Sequence, residues 1–457
     1  MNDYVKKDLK YIWHPCGQMK DYEELNPIVI EKGEGAWLYD IDGNKYLDCI
    51  SSWWANTLGH SNKRINEAIK RQIDNIEHVI FANFSNKPAI ELSEKLIDIT
   101  PENLTKVFFS DNGSSAVEIA LKMSFHYNMQ KGKTKKRRFL ALSDAYHGET
   151  LGALSVCDID EFNMIYKPLL LDTIRVEGPD CYRCKYGCNR ENCNAECFES
   201  MEKSLVENHH VISAIIVEPM VQGAAGMKIY SQIYLKKLRE FCDKYEIHLI
   251  VDEIAMGFGR TGKMFACNHA EISPDLMCLS KGISAGYMPM SVVMTTDEIY
   301  DCFYGDYNER KSFIHSHTYS GNALGCAIAL ESLKIFEEDN IIESNKGKGE
   351  LIRKLTNEKA QALKYIGEVR SIGMITAIEI VKNRKRKEPF PWHMRVGYEI
   401  YKIALTKGLL LRPIGNVLYF IPPYIINEEE IKFMVNTCFQ SIEEYFMKIS
   451  HNTWSVY

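Results

Sequence analysis

Two short apolar runs, His248-Leu-Ile-Val-Asp252-Glu253 and Asp275-Leu-Met-Cys-Leu-Ser280-Lys281-Gly282, decide the fold of this chain. Each run has the length and composition of a buried strand, and a charged residue, Asp252 or Lys281, stands at its end. In an open α/β sheet, ligands bind in the crevice outside the carboxyl ends of the strands. We therefore expect the carboxylate and the amine to point into one crevice.

Further runs of this kind alternate with helical patterns between residues 63 and 330. This alternation predicts an α/β fold with a mostly parallel sheet that is covered on both faces. The additional predicted strands are Lys106-Val-Phe-Phe-Ser, Phe139-Leu-Ala-Leu, Ala214-Ile-Ile-Val-Glu and Ser291-Val-Val-Met-Thr.

Three regions are expected along the chain. Residues 1–60 form an N-terminal segment with a hairpin that turns at Asp42-Gly43, and this segment contributes to the small domain and the active site. Residues 61–330 form the large cofactor-binding domain. Residues 331–457 form a smaller α+β domain, with strands near Ile375 and Val417 and a closing helix near 428–445.

Composition narrows the class of protein. The chain has 457 residues, an apolar fraction of 46%, a charged fraction of 25% and a formal net charge of −6. These values are typical of a soluble globular protein and provide no basic field for nucleic acid. The basic runs at 131–138 and 382–387 are interpreted as solvated loops. We find no signal peptide and no apolar run long enough for a bilayer, so we expect a cytoplasmic protein without a membrane partner.

A phosphate site is expected where a helix follows the strand at 106–110. Asn112-Gly113-Ser114-Ser115 would open this helix, and free backbone amides at a helix start favour an anion. Taken alone, this stretch is more often a plain helix cap.

A flat cofactor is indicated by Asp144-Ala-Tyr146-His147-Gly148, which follows another strand. Tyr146 could stack on a ring, and Gly148 would allow close backbone approach. An amine that forms a Schiff base (Lys281) and an acid that holds a pyridinium proton (Asp252) are what pyridoxal phosphate chemistry requires. The sequence therefore predicts pyridoxal 5'-phosphate as cofactor, with Lys281, Asp252 and Tyr146 as catalytic residues.

The stretch Val251-Asp252-Glu253-Ile254-Ala-Met-Gly257-Phe258-Gly259-Arg260-Thr261-Gly262, followed by Ser280-Lys281-Gly282, resembles the signature of the class III aminotransferases. The resemblance extends from Trp13 to about Tyr445. It implies the fold-type I architecture, with a seven-stranded sheet and a homodimer that shares its active sites. It also implies the cofactor-binding residues, which are Gly113, Ser114, Tyr146, Asp252, Lys281 and, across the subunit interface, Thr318.

Within the family, Trp13-His14-Pro15 and Ser51-Ser52-Trp53-Trp54-Ala55 resemble the branch that aminates 8-amino-7-oxononanoate to 7,8-diaminononanoate for biotin synthesis. An aliphatic keto acid of nine carbons needs apolar walls and one distant cation. The substrate-binding residues that the resemblance implies are Trp53, Trp54, Tyr146, Lys281, Ser316 and Arg412, and Arg412 would grip the substrate carboxylate. The alternative is a class III enzyme that acts on an ω-amino acid or a diamine.

The amino donor is either adenosylmethionine or lysine. Members of this branch that use adenosylmethionine often have Tyr where this chain has Cys16. The loops 282–289 and 318–321 look more like those of lysine-using relatives, which slightly favours lysine.

Five cysteines lie within seventeen residues, at positions 181, 184, 188, 193 and 197. Their spacing fits no standard zinc or iron–sulfur pattern well, so we expect no metal and interpret the segment as a solvent loop with free thiols or adventitious disulfides. A zinc ion or an iron–sulfur cluster held by these cysteines is the alternative. A metal-binding scaffold built on an inactive aminotransferase fold is the rival hypothesis. The presence of Lys281, Asp252 and Tyr146 argues against it.

Overall fold

The computed structural model describes residues 1–452. Its helices are α1 Asp3–Tyr11, α2 Ser51–Trp54, α3 Lys63–Ile73, α4 Lys87–Ile99, α5 Gly113–Gln130, α6 Leu151–Ser155, α7 Asp160–Asn163, α8 Glu199–Asn208, α9 Gln232–Tyr245, α10 Asp297–Cys302, α11 Ala323–Glu338, α12 Ile341–Gln361, α13 Val396–Thr406 and α14 Glu428–Asn452. Its strands are β1 Ile30–Glu34, β2 Trp37–Asp40, β3 Lys45–Asp48, β4 Lys106–Ser110, β5 Arg138–Leu142, β6 Thr173–Val176, β7 Ile212–Val217, β8 Val221–Gln222, β9 Lys228–Ile229, β10 His248–Asp252, β11 Leu276–Leu279, β12 Ser291–Thr295, β13 Ile366–Ile372, β14 Ile375–Asn383, β15 Glu388–Pro389, β16 Leu409–Leu410 and β17 Val417–Phe420.

A seven-stranded sheet in the order β4-β12-β11-β10-β7-β5-β6 forms the centre of the molecule. The strands from β11 to β6 are parallel to their neighbours, and β12 runs antiparallel to both β11 and β4. This confirms the predicted α/β class and the mostly parallel sheet. Strand β6 was not predicted, because its four residues include an exposed Arg175 and lack a continuous apolar run.

The apolar content of β10 follows from its central position. Ile250 packs into the core on one face of the sheet, whereas Leu249 and Val251 pack into the core on the other face. All three are fully buried. A strand covered on both faces needs apolar residues throughout. Between His248 at its amino end and Asp252 at its carboxyl end, the strand therefore presents only apolar side chains.

The N-terminal and C-terminal parts of the chain share a second sheet, in the order β1-β2-β3-β16. The predicted hairpin is present as β2 and β3, and Gly43 adopts φ +85° in its turn. The first 60 residues also contain α1 and β1, which were not predicted. Strand β16 pairs in parallel with β3, so residues 409–410 support the hairpin from the far end of the chain.

The third sheet consists of β13, β14 and β15 in that order, and β17 also pairs with β14, antiparallel to it. Both predicted strands of the smaller lobe are present, and α14 covers the region of the predicted closing helix and extends beyond it. The predicted domain boundary at residue 330 falls within helix α11. The domain boundaries stay predictions. None of the helices in the described part of the chain has the length and apolar content that crossing a bilayer requires.

Candidate active site

The fold brings Lys281 and Asp252 to one cavity of about 190 Å³ at the carboxyl ends of β10 and β11. The parallel register places Asp252 beside Cys278, three residues before Lys281. The predicted meeting of a strand-end carboxylate with a strand-end amine is therefore present. The other side chains and glycines that contribute to its wall include Trp54, Gly113, Ser114, Tyr146, His147 and Glu218.

Lys281 begins a short 3-10 helix directly after β11 and adopts φ +41°. Its Nζ lies 4.7 Å from the centre of the Trp54 ring. Burial lowers the pKa of this amine, against the opposing effects of the Asp252 and Glu218 carboxylates. A lowered pKa increases the neutral, nucleophilic fraction of the amine near neutral pH.

Asp252 is held from two sides. Its Oδ1 accepts the N–H of Ile254 at 3.0 Å, and its Oδ2 accepts Nδ1–H of His147 at 2.7 Å. Both side chains are at most 5% exposed. Because a buried imidazole fixes the carboxylate, Asp252 can present a negative charge to a ring nitrogen with little freedom to rotate. His147 belongs to the predicted ring-binding stretch, but the sequence alone did not predict its contact with Asp252.

The start of α5 provides the predicted anion cradle. Asn112 caps the helix by accepting the N–H of Ser115 at 3.0 Å, which leaves Gly113 and Ser114 at the cavity wall. Gly148 approaches so closely that a Cβ there would lie 2.2 Å from Ser114 Oγ. Gly148 also adopts φ +128°, which other residues rarely tolerate. The glycine is therefore required for the contact between the Tyr146 turn and the helix start.

Tyr146 lines the cavity, and both of its polar groups are bound. Its N–H donates to Glu218 Oε2 at 3.1 Å, and its hydroxyl donates to Glu149 Oε1 at 2.8 Å. Burial and the neighbouring carboxylate of Glu149 raise the pKa of the phenol, so Tyr146 stays neutral at physiological pH. These bonds hold the ring at the cavity wall.

Glu218 is a site residue that the sequence reasoning missed. It is buried at the end of β7, the strand next to β10, and it also accepts the N–H of Gly223 at 2.9 Å. Burial raises the pKa of its carboxyl to about 7, and the charge of Asp252 acts in the same direction. The signal was available, because Glu218 follows a predicted strand in the same way as Asp252.

The tryptophan pair lies on a left-handed turn. Residues 51–54 all have positive φ, between 44° and 71°. Asp48 stabilises this turn by accepting the N–H and the Oγ–H of Ser52 at 2.9 and 2.7 Å. Fully buried Arg260 donates to the carbonyl of Trp54 at 3.1 Å. The turn places Trp54 in the cavity wall, whereas Trp53 remains 44% exposed.

Arg412 lies against Trp53, with its guanidinium carbon 5.0 Å from the ring centre. Its Nη2 donates to the carbonyl of Cys16 at 2.8 Å. The N-terminal segment is thereby tied to Arg412, and Cys16 Sγ also approaches Glu149 Oε1 at 4.0 Å. Arg412, Trp53, Cys16 and Glu149 thus form a linked group that leads to Tyr146 at the cavity.

Thr318 and Ser316 lie outside the active-site cavity of their own chain. Both are exposed on the loop between α10 and α11. The loop is attached near the anion cradle by a hydrogen bond from His317 to Asp111. This placement leaves both residues available to a second subunit, and their roles stay predictions.

The five clustered cysteines form a partly exposed segment with free thiols. Burial raises the pKa of the Cys181 thiol to about 12, and the thiols of Cys193, Cys197 and Cys184 act in the same direction. Among residues 1–452, no group of three or more histidine, cysteine, aspartate or glutamate side chains is arranged to hold a metal ion. The predicted absence of a metal stays a prediction.

Comparison with known proteins identifies the family. Residues 19–442 match the family model described as Aminotransferase class-III. The chain belongs to the class III aminotransferases. A class III aminotransferase of Geobacter sulfurreducens, named adenosylmethionine-8-amino-7-oxononanoate aminotransferase, is 46% identical over 95% of this chain and 96% of its own length.

Solved structures of class III aminotransferases agree with this fold. The crystal structure of adenosylmethionine-8-amino-7-oxononanoate aminotransferase from Methanocaldococcus jannaschii matches with a TM-score of 0.91 and 41% identity, over 96% of this chain and 98% of that one. An omega transaminase of Pseudomonas jessenii, in complex with PMP, matches with a TM-score of 0.93 and 31% identity, over 98% of this chain and 99% of that one.

Class III aminotransferases depend on pyridoxal phosphate, and the residues of this chain fit that cofactor. The cavity provides an amine and a fixed carboxylate, and the helix start provides an anion cradle that a Cβ at position 148 would fill. This class III enzyme is therefore a pyridoxal phosphate-dependent aminotransferase, as predicted.

Proposed function

We propose that this aminotransferase converts 8-amino-7-oxononanoate to 7,8-diaminononanoate in biotin synthesis. The proposal rests on relatives named for the first of these compounds, which are 46% and 41% identical over nearly the whole chain. The structurally similar omega transaminase is 31% identical over the same extent. The higher sequence identity to the oxononanoate aminotransferases supports 8-amino-7-oxononanoate as the acceptor over a general ω-amino acid or diamine.

The linked group around Arg412 suits this acceptor. A nine-carbon keto acid with a terminal carboxylate needs an apolar passage that ends at a cation. Trp54 lies within 4.7 Å of Lys281 Nζ, and Trp53 lies within 5.0 Å of the Arg412 guanidinium. The two rings would therefore flank the aliphatic chain, and Arg412 would bind the carboxylate with two parallel hydrogen bonds.

The cofactor residues act in complementary ways. When bound, pyridoxal phosphate supplies an aldehyde that carries the amino group and a protonated ring that withdraws electrons. Asp252 would hold the proton at the ring nitrogen, and Tyr146 would flank the ring. Gly113 and Ser114 would bind the phosphate. Lys281 would hold the cofactor through its amine and, once released from it, would give and take the proton at the reacting carbon.

The proposed donor is adenosylmethionine, which the names of the relatives in Geobacter sulfurreducens and Methanocaldococcus jannaschii contain. The lysine favoured by Cys16 and the loops 282–289 and 318–321 stays a prediction and is the second arm of the test. Cys16 accepts a hydrogen bond from Arg412 through its carbonyl, and its exposed side chain lies next to Glu149.

The functional unit is proposed to be a cytoplasmic homodimer in which Thr318 binds the phosphate in the partner's site and Ser316 contacts the substrate there. Exposed apolar side chains support the dimer, among them Ile80, Phe84 and Ile314, which are 61%, 65% and 85% exposed. Fourteen free cysteines support a reducing compartment. Sedimentation equilibrium should give a dimer, whereas a monomer that keeps full activity on dilution contradicts it.

Half-reactions test the proposed activity. The cofactor-loaded enzyme is first converted to the amine form with adenosylmethionine or lysine, and each conversion is followed by the absorbance of the bound cofactor. The amine form should then react rapidly with 8-amino-7-oxononanoate and poorly with pyruvate or 2-oxoglutarate. Faster reaction with either of these two acids contradicts the proposed acceptor. Conversion by lysine alone contradicts the proposed donor and leaves the acceptor standing.

A further inference from the structure

A second cavity, of about 410 Å³, lies between the cysteine segment and the sheet of the smaller lobe. None of the residues that line it lines the active-site cavity. Its walls come from the cysteine segment, β9, α12, β13, β14 and β17. The cavity is mainly polar, and its lining includes five cationic side chains, which are Arg183, Arg190, Lys228, Arg353 and Arg370.

The acidic side chains on the inner walls are already neutralised. Lys228 Nζ pairs with Asp180 at 3.3 Å. Arg370 pairs with Glu368 at 3.0 Å and with Glu379 at 2.9 Å, and Arg183 adds a second pair to Glu379 at 2.8 Å. These carboxylates therefore cannot balance any further cation.

Two cations are left over. Among the described residues, neither Arg190 nor Arg353 forms an ion pair with a carboxylate. Arg190 reaches only the carbonyl of Ser371, with long contacts of 3.3 and 3.4 Å. Arg353 is exposed on α12 at the other side of the cavity. The remaining acidic lining residue, Glu191, is itself exposed to solvent.

Tyr182 contributes an aromatic side chain to the same wall. Its buried hydroxyl lies next to Gly367, which does not line the cavity, so this hydroxyl is not a donor to a ligand there. Tyr182 lies next to Arg183, whose guanidinium carbon is 4.7 Å from its ring centre.

We infer that this cavity binds a small oxyanion, a phosphate or a carboxylate, between Arg190 and Arg353. Guanidinium groups match the planar pair of oxygens on such anions and bind them with two hydrogen bonds. Bound there, the anion connects the cysteine segment with α12. Through Lys228, which also pairs with Asp144 at 2.8 Å, the same wall is joined to the turn that carries Tyr146.

Anion titrations of the cofactor-loaded enzyme test the inference, because the cofactor already fills its own phosphate site. Phosphate and succinate are titrated in separate arms at constant ionic strength against chloride, with calorimetry and thermal denaturation as readouts. We expect saturable binding and a rise in the melting temperature for at least one oxyanion. Binding of phosphate alone or succinate alone identifies the class. A response equal to that of chloride in both arms overturns the inference.

Variants locate the site. The double variant R190A/R353A should weaken anion binding at least tenfold, and R190K/R353K should weaken it less. Both double variants should fold, because Arg353 is exposed and Arg190 is partly exposed. The matched control is K135A/R137A, which removes two exposed cations that do not line the cavity and lie more than forty positions before its first lining residue, Asp180. Equal anion affinity in R190A/R353A and in the control overturns the assignment. Half-reaction rates are measured separately, so a failure here is distinct from a failure of the proposed transamination.

Discussion

His147 Nδ1 lies 2.7 Å from Asp252 Oδ2 inside the protein, although the two residues are 105 positions apart in the chain. His147 lies in the loop after β5, and Asp252 ends β10. The imidazole restrains the carboxylate that we propose holds a proton on the cofactor ring. This restraint makes the contribution of each partner measurable.

Asp252→Asn should lower the rate of both half-reactions by about a thousandfold or more, because an amide cannot hold the ring nitrogen protonated. His147→Ala should lower the rates less, by about tenfold, because the carboxylate remains but is no longer fixed. Stopped-flow absorbance measures both. The control is Asp172→Asn, whose exposed carboxylate pairs with Arg138 at 2.7 Å and does not line the active-site cavity. Equal rates in D252N and the wild type would refute the role of Asp252.

Lys281→Ala should still bind pyridoxal phosphate but should not turn over. Reduction of the wild-type enzyme with borohydride, followed by peptide mapping, should place the cofactor on Lys281. Because burial lowers the pKa of this amine, labelling should persist to lower pH than labelling of an exposed lysine. Attachment to any other lysine would invalidate the assignment of the site.

Arg412→Ala should raise the KM for 8-amino-7-oxononanoate by about a hundredfold, because loss of a charged pair costs roughly 2–3 kcal/mol. The rate of the donor half-reaction should change much less if the donor carboxylate binds elsewhere. Arg412→Lys should recover part of the affinity, since it keeps the charge but not the paired hydrogen bonds. An unchanged KM in R412A would show that the substrate carboxylate lies at another residue.

The pKa of Glu218, raised to about 7, predicts a pH effect on stability. The folded state holds this proton more tightly than the unfolded chain, so the free energy of unfolding falls as the pH rises from about 4.5 to about 7. At 1.36 kcal/mol per unit, the full effect is of the order of 3 kcal/mol. Glu218→Gln should remove this part of the slope in thermal denaturation measured from pH 5 to pH 8.

Glu253→Gln is the comparison for that measurement, since burial also raises the pKa of Glu253 to about 7. Its carboxylate accepts the N–H groups of Ala266 and Cys267, away from Tyr146. Both variants should flatten the pH dependence, but only E218Q should also change the half-reaction rates. A slope in E218Q identical to that of the wild type would disprove the proposed titration of Glu218.

The cysteine segment should contain no stoichiometric metal. Elemental analysis of gently purified protein should find well below one zinc or iron per chain, and a thiol reagent should modify the segment before the buried cysteines. One bound zinc per chain would contradict this expectation and would assign a structural role to the cluster.

The sequence was sufficient for the elements whose pattern is local. β10 and β11 could be predicted because a strand buried on both faces must be apolar until it ends, and the family signature then located Asp252 and Lys281. Glu218 could have been recognised from the sequence as a carboxylate at a strand end. Its position beside Asp252 and Tyr146, like the position of His147, becomes visible only when β7, β5 and β10 form one sheet. The proposed role of Thr318 requires a second subunit, and no single-chain pattern contains that information.

The turn at residues 51–54 has a consequence for attempts to improve this enzyme. A left-handed conformation costs a non-glycine residue roughly 1–2 kcal/mol, so screening for heat resistance would favour glycine at position 53. Such a winner at position 53 would lack the ring that faces Arg412. Selection for robustness alone would therefore discard the surface that we propose binds the substrate, and any directed evolution of this chain should screen turnover alongside thermal tolerance.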